Sequence, residues 1–137
     1  MRDDLYNSEG YLDPTAFLAL RNIERESKKL KDLVFICSPF AGDIEGNIRK
    51  AKRYGRFAVS LGRVPIIPHL MYPQFLHEDD PVERKIGLEM GLVLLTKCRE
   101  IWVFGEQQSP GMTLEFKKAA EQNMIIRRFS TDCRILG

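Results

Sequence analysis

Cysteine is scarce in this chain: Cys37, Cys98 and Cys133 are the only three in 137 residues. Their odd number and wide spacing exclude a disulfide framework, and no C-x-x-C zinc pattern occurs, which points to a reducing cytoplasm. No apolar run is long enough to span a bilayer. The amino-terminal stretch MRDDLYNSEGYLDP lacks the basic and then apolar halves of a secretory signal. Charge of one sign is not in excess either, since 21 basic and 19 acidic residues leave a formal net charge of +2. A dedicated nucleic-acid binder usually carries a basic stripe, so neither nucleic acid nor a membrane is expected as a partner. Glycine-rich phosphate signatures are missing as well: there is no G-x-G-x-x-G and no P-loop.

The composition that remains is that of an ordinary globular domain, 44% hydrophobic and 29% charged, long enough to bury a core without metal or disulfide. Residues 1–31 read as an amino-terminal helical extension and 32–137 as the main domain. Asp13-Pro14 has the chemistry of a helix start, and Phe17, Leu20 and Ile23 form a narrow apolar stripe beyond it. This helix is expected to pack on the domain or on a neighbouring subunit.

From Leu33 onward strands and helices alternate. LVFIC (33–37) is a short continuous apolar run, as expected of a strand buried on both faces. Ile44, Ile48, Ala51, Gly55, Ala58 and Leu61 then recur at helical steps, and Gly62 ends the helix. Val64–Ile67 is the second strand. A long connection, HLMYPQFLHEDD, leads to a helix restarted by Asp80-Pro81, with Ile86, Met90, Val93 and Leu94 on its expected buried face. Ile101–Phe104 is the third strand, Met112–Gln122 a helix, and Met124–Ile126 a fourth strand running into RRF. The pattern implies an α/β, Rossmann-like three-layer αβα sandwich around a four- to five-stranded parallel sheet.

In such sheets ligands bind outside the carboxyl ends of the strands. Three loops are thereby selected: SPFAGDIEGN, PHLMYP and GEQQSPG. Ser38, Phe40, Gly42, Asp43 and Asn47 belong to the first, where free N–H groups suit an anion and Gly42 lets a backbone approach a ligand; Asp43 or Ser38 would equally cap the helix. His69 follows strand two, with no partner at metal-ligand spacing. Ser109, Gly111 and Met112 open the last helix and place Glu115 about one turn into it, either facing the crevice or serving the helix dipole. Glu89, on the preceding helix, points either into the crevice or to solvent.

The order VFICSPFAG, GRVPIIPHL and CREIWVFGEQQSPGMTLEFKKA resembles the nucleoside 2-deoxyribosyltransferase-like superfamily, which includes 2′-deoxynucleoside 5′-phosphate N-hydrolases. The most specific element is S-x-G-x-x-x-E, met by Ser109, Gly111 and Glu115. The resemblance implies a homo-oligomer with sites near subunit boundaries, no cofactor or metal, and cleavage of the N-glycosidic bond of a nucleoside or its 5′-monophosphate. Glu115 would be the nucleophile, with Ser109 and Gly111 on phosphate or sugar oxygen and the loop 38–42 bordering sugar and base. In one respect the sequence departs from that pattern. An aspartate expected near position 92 is Leu92 here, and Glu89, one turn earlier, is the nearest substitute. The alternative implied by that departure is a nucleotide-binding or nucleotide-sequestering protein without turnover. A third reading is an interaction protein assembled through its amino-terminal helix.

Overall fold

The computed structural model describes residues 32–136. The helix expected after Asp13-Pro14, with Phe17, Leu20 and Ile23, lies outside the described residues. Four strands, β1 (Leu33–Cys37), β2 (Val64–Ile66), β3 (Glu100–Phe104) and β4 (Ile125–Phe129), form one sheet in the order β2-β1-β3-β4. Every neighbouring pair is parallel. Four helices connect them: α1 (Ile44–Ser60), the short α2 (Pro68–Met71), α3 (Pro81–Leu95) and α4 (Pro110–Glu121). This is the Rossmann-like sandwich expected, with four strands.

The two central strands alternate their side chains between two cores. Phe35, Cys37, Ile101 and Val103 meet Leu95 of α3 and Met112 and Ala119 of α4. Val34, Ile36, Trp102 and Phe104 meet Tyr54 and Ala58 of α1, and Phe129. The second core is aromatic, with Tyr54 stacked on Phe104 at 3.9 Å between ring centroids. Burial on both faces is why β1 and β3 read as continuous apolar runs rather than as alternating ones.

Local signals place the helix starts well. Asp43 accepts from the Gly46 N–H, Asp80 from Val82 and Ser109 from Met112, each a side-chain cap. Gly62 takes φ +73° where α1 ends. Boundaries shift by one to three residues: β2 stops at Ile66, β3 begins at Glu100, α4 spans 110–121, and β4 runs 125–129. The long connection after β2 is not irregular throughout, since it holds α2 and a 3₁₀ turn at Tyr72–Gln74.

Helix α3 corrects the expected pattern most. Its buried residues are Gly91 and Leu95, while Ile86 and Val93 are 41% and 59% exposed. The helix is apolar on several sides, so periodicity alone does not single out the face that packs. On α1, Ala51, Gly55 and Ala58 are buried as expected and are joined by Tyr54, but Ile44 and Leu61 stay exposed.

At the amino end of β3, Glu100 is buried and held by Trp102 Nε1 (3.1 Å), Arg63 Nε (3.4 Å) and Arg127 Nε. Burial alone would raise its pKa; the hydrogen bonds from Arg127 and Trp102 and the charges of Arg127 and Arg63 outweigh that and lower it. Stability from this cluster is therefore present above the ordinary carboxylate pKa and lost as pH falls through the lowered one. Glu100→Gln is expected to cost about 1–3 kcal/mol at pH 7. In urea titrations the gap from wild type should close as the pH falls below 4.

Candidate active site

The chain passes from β1 to β2 on one side and from β3 to β4 on the other. The switch in strand order therefore falls between β1 and β3. Just beyond their carboxyl ends lies a cavity of about 520 Å³, within the usual range for small-molecule sites. All three loops selected from the sequence contribute to its wall. Phe40 and Ala41 come from the loop after β1, His69, Tyr72 and Glu78 from the connection after β2, and Ser109, Pro110 and Gly111 from the start of α4. Helix α3 closes one side with Arg84, Lys85, Leu88 and Gly91, and α4 adds Leu114 and Glu115.

Glu115 is 4% exposed, and its Oε1 is a buried oxygen without a hydrogen-bond partner among the described residues. Its position follows from the local sequence: Ser109 caps α4, Pro110 supplies the first helical residue, and Glu115 arrives on the face that carries Met112 and Ala119 inward. Leu114, the residue before it, lines the cavity and is 46% exposed. Burial pushes the Glu115 carboxyl up to about 7, with the Cys37 thiol, which favours the ionised form, offsetting part of that rise. Burial first, and then the neighbouring Glu115 carboxylate, push Cys37 well above its ordinary value. Cys37 thus stays a thiol, donating to Met112 O at 3.8 Å.

His69 Nε2 lies 3.0 Å from Ser38 O; a carbonyl only accepts, so the imidazole donates from Nε2. Burial lowers its pKa and the bond to Ser38 raises it in part, with a net lowering. A neutral ring results, packed against Phe40 at 5.0 Å between centroids. Together with Tyr72 these rings form an aromatic flank of the cavity.

Other candidates lie behind or away from the wall. Asn47 spends both side-chain N–H groups on Phe40 O (3.0 Å) and Ala41 O (3.1 Å), pinning the first loop. Asp43 caps α1, and Gly46 leaves room for it, since a Cβ there would sit 2.1 Å from Asp43 Oδ2. Gly42 has φ +93° with no described protein atom within 4 Å of an added Cβ, so the turn requires glycine for its backbone conformation. Ser38 is buried with Oγ unpartnered, and Met112 is core. Glu89 is exposed and is not among the cavity residues, whereas Leu92 packs against the core.

The sequence reading missed Arg84, Lys85, Tyr72 and Glu78. The signal available for α3 was the Pro81, Arg84, Leu88, Gly91 stripe, whose steps of three and four residues share one face. Among the described residues, no group of three or more His, Cys, Asp or Glu side chains is placed to hold a metal ion. Nor is any described helix long and apolar enough to cross a membrane.

Residues 32–129 match the family described as "Domain of unknown function (DUF7768)". The chain belongs to that family. No curated protein matches it. Among solved structures, the fold is similar to the 2-deoxyribosyltransferase of the psychrotolerant bacterium Bacillus psychrosaccharolyticus. The TM-score is 0.61 at 13% identity, over 77% of each chain. The 2-desoxiribosyltransferase of Leishmania mexicana also matches, with a TM-score of 0.48 at 15% identity, over 73% of this chain and 65% of that one. At such identities the likeness is one of fold alone: the DUF7768 chain described here resembles the Bacillus psychrosaccharolyticus enzyme in fold.

A carboxyl group whose folded pKa is raised to about 7 weakens the fold as pH climbs from the unfolded value through the folded one. The neutral isostere escapes this penalty. Glu115→Gln is expected to stabilise the domain by up to about 3 kcal/mol at pH 8 and hardly at all at pH 4. Thermal melts of both proteins at the two pH values check it.

Proposed function

We propose that the domain cleaves the N-glycosidic bond of a deoxynucleoside or its 5′-monophosphate, with Glu115 as nucleophile. The observation that carries this reading is a carboxyl group buried at the wall of a cavity, one oxygen unpartnered, at the switch point of a parallel sheet. The resemblance of the S-x-G-x-x-x-E run, Ser109 to Glu115, and the shared fold support it.

In this mechanism a carboxylate oxygen of Glu115 attacks the anomeric carbon, and the bond to the base nitrogen breaks with its electron pair leaving on the base. The base takes up a proton, and a glycosyl ester remains on Glu115. Water then attacks the same carbon, releases the carboxylate and gives free sugar; a second base in place of water gives transfer. The aromatic flank of Phe40, His69 and Tyr72 offers apolar faces for a base. Gly111, near the start of α4, lines the cavity and would offer its N–H to a sugar or phosphate oxygen. The proposal includes a homo-oligomer with the site near a subunit boundary, and a reducing compartment, in keeping with three free cysteines.

One observation favours a second reading, a nucleotide-binding protein without turnover. No acid occupies the place of Leu92, which packs into the core, and Glu89 is exposed outside the cavity. General acid assistance is typically worth about 10²–10⁴-fold in rate. Incubation with a panel of deoxynucleosides and their 5′-monophosphates, read as free base, separates the two. The first reading expects release that Glu115→Gln abolishes; tight binding without release selects the second. Because the nucleophile must be ionised, the rate should rise with pH along a limb of apparent pKa about 7. A flat profile between pH 5 and 8 would count against Glu115.

A further inference from the structure

The cavity wall is chemically two-sided. One flank is aromatic, from Phe40, His69 and Tyr72. Helix α3 also lines the cavity, with Arg84 on the same face as Pro81, Leu88 and Gly91 and with Lys85 beside it. Gly91 keeps that face low, with only Pro68 atoms at 3.7–3.8 Å from where a Cβ would stand. Among the described residues neither Arg84 nor Lys85 forms an ion pair within 4.0 Å. Glu78 and Glu115 line the same cavity, and among the described residues neither is within ion-pair distance of Arg84 or Lys85. The amino end of α4 adds the positive end of its helix dipole at Ser109–Gly111. Two long cationic side chains at the rim do nothing for the core, and a neutral nucleoside gives them nothing to neutralise.

We infer that Arg84 and Lys85 form an anion subsite that reads the 5′-phosphate of the substrate, so that the ligand is a nucleoside monophosphate in preference to a free nucleoside. The inference rests on the nucleoside reading of the cavity and decides between its two substrate classes. The anomeric carbon and the 5′-phosphate are several covalent bonds apart. A phosphate drawn to α3 therefore keeps its charge away from the Glu115 carboxylate while the sugar bridges the two. A guanidinium fork matches phosphate oxygens in pairs, and the ammonium group of lysine adds a mobile point charge. The family resemblance implies phosphate or sugar oxygen at Ser109 and Gly111; with α3 lining the cavity, the phosphate's main partners move to a helix that the loop rule does not select.

The test is calorimetric titration of the Glu115→Gln protein, which binds without turnover, using deoxynucleosides, their 5′-monophosphates and inorganic phosphate. Monophosphates should bind at least 10-fold more tightly than the matching nucleosides. Adding Arg84→Gln and Lys85→Gln, which keep side-chain length on an exposed helix face, should erase that preference and leave nucleoside affinity unchanged. Inorganic phosphate alone should bind weakly and compete only with the monophosphates. Equal affinity for both classes, or a monophosphate affinity indifferent to the two glutamines, overturns the subsite while leaving the nucleoside reading intact. Failure of every nucleoside and nucleotide to bind overturns both. Base release by the wild-type protein, measured separately, tests the catalytic reading without touching the subsite.

Discussion

The structure depends on one directional constraint: all four strands run the same way. Parallel strands cannot be joined by tight turns, so each connection crosses the sheet through a helix and returns to the opposite rim. Every β-to-α loop therefore arrives at the same edge. Because the chain goes outward to β2 before crossing back to β3, loops 38–42 and 105–109 diverge above β1 and β3 and leave an opening between them. The cavity follows from topology before any side chain is chosen. Cysteines, a tyrosine and a tryptophan fill the layers beneath it, and nothing in that core requires an acid.

Glu115 is the exception. A carboxyl group among Met112, Ala119 and Cys37 weakens the folded state, since its charge is stripped of water and one oxygen finds no partner. The contrast with Glu100 is instructive. Both are buried glutamates, yet Glu100 is surrounded by Trp102, Arg63 and Arg127 and its pKa is lowered, whereas Glu115 has only a thiol and its pKa is raised. The first is satisfied by the fold; the second is not. Departures from local consistency of this sort tend to gather at functional sites.

Much of this was legible before the structure. The apolar runs at 33–37 and 101–104 identify the central strands because burial on both faces forbids polar interruption. Asp80, and Asp43 as one of two candidates with Ser38, mark helix starts through a local hydrogen bond that needs no tertiary partner, whereas the Ser109 cap emerged only from the structure. The rim loops follow from the alternation of elements. Less legible was α3: Ile86, Met90, Val93 and Leu94 are as apolar as the residues that pack, and only the placement of the sheet decides that Leu92 and Leu95 turn inward. The same rotation carries Arg84 and Lys85 to the cavity and Glu89 away from it.

Sequence alone determined the element order, the parallel sheet and the edge at which the cavity opens, because these follow from hydrophobic period, capping chemistry and chain connectivity, all of which act over a few residues. Tertiary structure decided which side chains share the cavity and in what protonation state. That outcome depends on the rotation of α3 against α4 and on the depth at which residue 115 is withdrawn from water, and no short stretch of residues encodes either.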